Sequence, residues 1–164
     1  LYFRRKGIED FVEVARRMPD VRFIWLGSIN LWLIPRKIRD LVLYNHPENV
    51  EFPGYFKGAV FQGAMSGSDA FFFPSYEETE GIVVLEALAS GQHVVLRDIP
   101  VYNGWIDEES AELCHNVDEF VESLRKVLDG KVDKREAGYR VAESRSIDDV
   151  ALQLVKAYQT VLEM

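Results

Sequence analysis

Short apolar runs of strand type alternate with helix-periodic segments along most of the chain, and this alternation constrains the fold more than any other feature. Ile8, Phe11, Val12, Ala15 and Met18 recur at helical spacing, and VRFIWLG (21–27) follows as a short buried strand ending in glycine. PRKIRDLVLY (35–44) starts with proline in a helical first turn. NVEF (49–52) is a second strand, stopped by Pro53-Gly54. Residues 57–67 read as a small-residue helix, and DAFFF (69–73) is a β-type run closed by Pro74-Ser75. A helix over residues 80–90 leads into a further strand, HVVLR (93–97). Asn116 with Glu119, and Ser146 with Asp149, mark the starts of two later helices. The first carries Phe120, Val121, Leu124 and Leu128 and closes at Gly130, and the second carries Val150, Leu154, Ala157 and Val161. Strands alternating with helices imply an α/β fold, a doubly wound parallel sheet with C-terminal helices. Ligands of such sheets sit beyond the carboxyl ends of the strands. The stretches to examine are therefore Gly27 to Ile29, Pro53 to Phe56, Pro74 to Gly81 and Asp98 to Trp105.

At 164 residues the chain is one domain's worth and has neither a transmembrane-length apolar run nor a signal peptide. Cys114, the single cysteine, cannot form an internal disulfide, which fits a reducing, cytoplasmic compartment. A net charge of −8 argues against nucleic acid as a partner. It also gives the chain no attraction of its own to an anionic membrane. No His/Cys/Asp cluster demands a metal. The opening LYFRRKG reads as though entered partway through a strand, so the chain is expected to be a piece of something longer.

The most informative stretch is SYEETEGIVVLEALASG (75–91). Ile82, Val83, Val84, Leu85, Ala87, Leu88 and Ala89 cover every face of a helix, which predicts a buried one with Glu86 as its lone acid. Two readings of Glu86 compete: an ion-paired or solvated rim residue, or an acceptor for ligand hydroxyls. Spacing alone favours the first. Gly81, beside the helix start, leaves room for close approach, and free N–H groups at Gly81, Ile82 and Val83 suit an anion. Glu77 and Glu80 are expected to complement the helix dipole or cap it. Glu78, if held above those amides, would orient hydroxyls on a ligand whose phosphate lies alongside.

Glu78 and Glu86 have seven residues between them, a weak signal among 27 acids, but they come embedded. FFFPSYEETEGIVVLEALASGQHVV orders strand, Pro-Ser turn, glutamate, glycine, helix, glutamate and strand in a way that resembles the E-x7-E signature of retaining GT-B glycosyltransferases of family 4 type. RRKGIEDFVEVARRMPDVRFIWLG is similar to the Lys-Gly-helix-strand opening of that family's nucleotide-sugar half, and NVEFPGYF to its Val-x-Phe-x-Gly loop. The likeness covers roughly residues 1–105.

What the resemblance implies is the carboxy-terminal, Rossmann-like half of a two-domain enzyme, its acceptor domain lying in absent upstream sequence. Glu86 would hold the ribose diol, and Glu78 the donor sugar's hydroxyls. Lys6 would neutralise the diphosphate, although an isolated lysine is as often simply solvated. The Gly54, Tyr55 and Phe56 backbone would read the base. No metal or other cofactor is implied, the nucleotide sugar being a substrate. Departures from the pattern are Leu1 in place of an arginine, for which Arg4 or Arg5 would substitute, Glu80 for an aromatic residue, His93 for a proline, read as an ordinary strand-start residue, and an Asp98–Tyr102 loop without the usual glycine pair. EETEGIVVLEALA with RDIPVYNGW is similar to bacterial glucosyltransferases that act on diacylglycerol, which implies UDP-glucose and a membrane glycerolipid acceptor met through the missing half. The full-length protein would then be cytoplasmic and peripheral at the membrane's inner face. The alternative is a non-catalytic GT-B-like nucleotide-sugar-binding or scaffolding module. A flavodoxin-like or receiver domain ranks lower, since no strand ends in paired aspartates.

Overall fold

A computed structural model describes residues 1–163. The elements run α1 (Ile8–Arg17), β1 (Phe23–Leu26), α2 (Arg36–Leu43), β2 (Val50–Gly54), α3 (Gly58–Gly67) and β3 (Phe71–Phe73). They continue with α4 (Ile82–Ala89), β4 (Val94–Arg97), β5 (Glu112–Cys114), α5 (Val117–Leu128), α6 (Arg135–Glu143) and α7 (Ile147–Leu162). Short 3₁₀ turns cover Arg4–Lys6, Leu31–Leu33 and Pro100–Tyr102. All strand pairs are parallel, as the alternation requires.

Hydrogen bonding divides the strands into a β1-β2 pair and a β3-β4-β5 sheet. Aromatic packing bridges the two: Phe11 of α1 stacks on Phe72 of β3 at 5.5 Å and meets Phe23 of β1 edge-on at the same distance. Because side chains alternate across a strand, Phe72, Val95 and Cys114 face a core built with α1 and α5. Phe71, Phe73, Val94, Leu96 and Leu113 face the opposite core, built with α4 and α6. Helices on both faces make the layer doubly wound.

Three sequence expectations change. β2 runs through Pro53 to Gly54 instead of stopping at it, which an edge strand tolerates because the missing N–H is not needed for pairing. β5 and α6 have no counterpart in the sequence reading. α4 is not buried all round: Val84, Ala87 and Leu88 pack inward, while Ile82 and Glu86 stand exposed. The two expected caps form, with Asn116 Oδ1 accepting from the Glu119 amide at 3.0 Å and Ser146 Oγ from the Asp149 amide at 3.2 Å.

Candidate functional site

The carboxyl end of β3 and the start of α1 are held together by backbone contact. A Cβ on Gly7, whose φ is +74°, would overlap the Pro74 carbonyl, so only glycine allows the approach. The Arg5 carbonyl then accepts from the Tyr76 amide at 2.7 Å and from Ser75 Oγ at 3.2 Å. This seam sets Lys6 against Glu78, with Nζ 2.5 Å from Oε1 and both side chains mostly buried, at 17% and 10% exposure. Ser75 Oγ donates to the same oxygen at 2.7 Å. Two residues 72 apart in sequence thus form one neutral pair at the sheet's carboxyl edge.

Gly81 follows as the N-cap of α4 with φ +82°, and no side chain caps that helix. The expectation that Glu77 or Glu80 caps it therefore fails, since the backbone at Gly81 makes the turn and no acid lies in the first turn. The leading amides, Ile82 and Val83, are left for another partner because an α-helix has no internal acceptor for its first N–H groups. Glu86 lies one turn on, on the face of Ile82, and it pairs with no cation among the described residues. It is solvated rather than buried, which corrects the reading of a lone acid inside an apolar helix.

Gly54 ends β2 on the carboxyl edge, and Tyr55 and Phe56 follow it. The Gly54 carbonyl accepts from the Gly27 amide at 2.8 Å, and a Cβ on Gly27 would lie 2.9 Å from the Leu1 nitrogen. The Gly54 loop is thereby tied to the segment that carries Lys6. Tyr55 is exposed, with the Lys57 ammonium 5.8 Å from its ring centre. Arg4 is engaged with Glu9 at 3.1 Å, whereas Arg5 is exposed without an ion pair among the described residues. His93 lies at the amino end of β4, away from this edge. Burial, with the nearby Arg135 charge second, lowers its pKa.

Sequence reasoning missed two residues. Arg97 is buried at the end of β4, where it bonds the Asp10 carboxylate, the Pro74 carbonyl at 3.1 Å and the His115 carbonyl at 2.6 Å. Its guanidinium stacks 3.8 Å from the Tyr76 ring centre, and Tyr76 Oη donates to Asp10 at 2.6 Å. A charged residue inside a strand was the available signal. Tyr102, 2% exposed, packs on Gly81, where an added Cβ would meet its ring at 2.9 Å. Its hydroxyl is the only buried side-chain polar atom without a hydrogen-bond partner among the described residues. Burial, with the Glu78 charge second, raises its pKa.

A cationic ammonium, a run of unpaired amides and a glutamate on one edge are the parts needed to hold a diphosphate and the hydroxyls beside it. The sequence of residues 1–130 matches the family described as glycosyl transferases group 1. The chain belongs to that family. It is 49% identical, over its whole length, to a processive diacylglycerol alpha-glucosyltransferase from Acholeplasma laidlawii, and it covers 50% of that protein. Among solved structures, a sucrose-phosphate synthase from Thermosynechococcus elongatus superposes with a TM-score of 0.83 at 22% identity, over 99% of this chain and 44% of that one. The pneumococcal O-GlcNAc transferase solved with UDP and GlcNAc gives 0.76 at 16% identity, over 99% and 35%. These structures establish the GT-B, Rossmann-like fold. The glycosyl transferase chain spans about half the length of the curated relative it matches.

Proposed function

We propose that this chain is the carboxy-terminal, nucleotide-sugar-binding domain of a two-domain retaining hexosyltransferase that moves glucose from UDP-glucose to a membrane glycerolipid. The observation that carries the reading is the Lys6–Glu78 pair lying beside the uncapped start of α4. The likeness to a diacylglycerol glucosyltransferase supports the donor and the acceptor class. A second domain, met in sequence outside this chain, would supply the acceptor side and close the cleft. The full protein would be cytoplasmic and peripheral at the membrane.

On this reading the diphosphate displaces Glu78 from Lys6. The ammonium and the Gly81, Ile82 and Val83 amides then face phosphate oxygens, with Arg5 as the second cation. Glu78, released from its cation, accepts from the sugar's hydroxyls. Glu86 accepts from the ribose diol, a role that suits an exposed, unpaired carboxylate better than a buried one. Gly54, Tyr55 and Phe56 line the base. As the bond from the sugar's C1 to the diphosphate oxygen breaks, its electron pair leaves on the diphosphate, where Lys6 stabilises it. The acceptor hydroxyl attacks from the same face, and its proton passes to the departing oxygen. Fixed charges set in place before reaction contribute most to such a step. No resident cofactor enters this scheme, because Lys6 and the amides take the leaving-group charge.

Calorimetric titration of the chain with UDP and UDP-glucose tests the reading. Binding should be present, roughly tenfold to a hundredfold weaker in Lys6→Ala, and weaker in Glu86→Ala with no loss of fold. Absence of binding to either ligand by the folded protein overturns it. Sugar transfer by the longer natural protein, retained in wild type and lost in Glu78→Gln, separates an enzyme from a binding module.

A further inference from the structure

We infer that the 3₁₀ turn Leu31–Leu33 and the adjoining face of α2 form a docking surface for an anionic lipid bilayer. This goes beyond the proposed function, in which lipid contact belongs to sequence outside the chain, and its test needs no nucleotide. The net charge of −8 hides a strong asymmetry. Residues 1–44 hold nine Lys and Arg against five Asp and Glu, a net +4, which leaves −12 for the remainder.

The tip is built, not loose. Asn30 Oδ1 accepts from the Trp32 amide at 3.0 Å and starts the turn. Leu31 and Ile34, three residues apart, lie on the same side of a 3₁₀ turn and pack into the cluster of Tyr2, Ile8, Ile38 and Val42. Trp32 and Leu33 are therefore forced outward, at 83% and 73% exposure. The Arg39 guanidinium lies 5.1 Å from the Trp32 ring centre. Lys37 and Arg4 share the single carboxylate of Glu9, at 2.5 and 3.1 Å, which brings α2 beside the Arg4–Lys6 turn. Arg36 reaches only Asp40, at 3.4 Å, and Arg5 has no ion pair among the described residues. Five cations thus stand against two acids around an exposed Trp-Leu pair.

That composition suits a bilayer interface. Tryptophan seats at the headgroup level, the leucine reaches the acyl boundary, and the cations meet lipid phosphates. Exposed ion pairs such as those to Glu9 and Asp40 are weak enough for phosphates to replace them. The other exposed apolar surface, α7, has the wrong sign for this partner, with Asp148 and Asp149 in its first turn. The tip follows β1 at the carboxyl end of the strand, and α2 meets the Arg4–Lys6 turn through Glu9, which puts the patch on the side of the domain that carries the Lys6 segment.

Sedimentation of the 164-residue chain with vesicles is the test, using phosphatidylcholine alone and an equal mixture with phosphatidylglycerol. Binding is expected to the mixed vesicles only, and to weaken as salt rises. Trp32→Ala with Leu33→Ala should reduce partitioning by about tenfold or more. Arg36→Gln, Lys37→Gln and Arg39→Gln together should reduce it on the order of a hundredfold, at roughly fivefold per charge. The same charge change at Lys131, Arg135 and Arg140 should leave it almost unaltered. Absence of binding at low salt overturns the inference, as does equal loss from both charge triplets. Binding lost only through Leu154→Gln and Val161→Gln on α7 overturns it too. Nucleotide titration of the Trp32/Leu33 variant should match wild type, so failure here and failure of the sugar-donor reading are separate results.

Discussion

Tyr102 shows how close packing and an unsatisfied polar group meet in one side chain. Its ring closes on Gly81 while its hydroxyl finds no partner. Tyr102→Phe removes an orphaned hydroxyl and keeps the ring, so stability at neutral pH should hold or rise by up to about 1 kcal/mol in urea unfolding. The pH dependence has a definite sign. A folded-state pKa raised above the ordinary tyrosine value of 10.0 stabilises the fold fully below pH 10, and the contribution is lost as pH climbs above it. Wild type should therefore weaken above pH 10 more steeply than Tyr102→Phe. Gly81→Ala should cost about 1–3 kcal/mol, since its φ of +82° disfavours a side chain and the new methyl meets the Tyr102 ring. At this scale Glu78 and Gly81 were legible together, because they stand in one local pattern, and Lys6 in a separate one beside Gly7. The pairing of Lys6 with Glu78 was not, since it depends on a tertiary seam through Gly7 and Pro74. Nor was the solvation of Glu86, since an eight-residue helix with one apolar side inward can still read as apolar on all sides.

Between elements, Arg97 carries the coupling. From the end of β4 it holds Asp10 on α1, the Pro74 carbonyl after β3 and the His115 carbonyl after β5, and it stacks on Tyr76. Four segments thus depend on one buried guanidinium, and one of them is the turn bearing Glu78. Arg97→Met keeps much of the volume but takes the cation from the Asp10 carboxylate, which keeps only the Tyr76 hydroxyl, and removes the donor from two carbonyls. Leaving buried groups unpaired in this way should cost about 3–5 kcal/mol. Hydrogen exchange at amides 75–81 should accelerate in that variant more than at the far end of α5. Arg97→Lys should not rescue it, because an ammonium cannot span the three acceptors in one plane. Uniform acceleration across the chain would argue against a specific hold on the turn. Elements with strong local signals were legible: α1 by its periodicity, α5 and α7 by their caps, β3 and β4 by their apolar runs. β5 escaped because three residues give no period to read, and its partner strand defines it. α6 escaped because REAGYRVAE is mostly polar and carries a mid-helix glycine. Tertiary packing explains that glycine, since a Cβ on Gly138 would overlap Leu88 of α4.

Over the whole molecule, the acid side of stability rests on surface pairs and the apolar surface rests on α7. Arg125 of α5 holds Asp20 with bonds that include one of 2.6 Å, and this pairing lowers the Asp20 pKa from 3.8 to about 2. A folded-state pKa depressed in this way stabilises the fold above pH 4, and the contribution is lost as pH falls towards 2. The urea midpoint of wild type should fall across that window, and Asp20→Asn should fall less. α7 poses the opposite problem. None of its described residues is buried, yet Ile147, Val150, Leu152, Leu154, Val155, Tyr158, Val161 and Leu162 are all apolar or aromatic and exposed. A monomer seldom leaves so much apolar surface open without a partner for it. The partner consistent with the proposed two-domain enzyme is the acceptor half, onto which this helix would pack. Because α7 buries nothing against the body of this chain, removing residues 147–164 should leave the urea midpoint of the remainder within about 0.5 kcal/mol of its starting stability. The same truncation should change association: the 164-residue chain should self-associate with rising concentration in sedimentation velocity, and the truncated one should stay monomeric. A large fall in stability on truncation would mean that α7 packs on this domain in solution, and the surface offered to the second half would then have to be sought elsewhere.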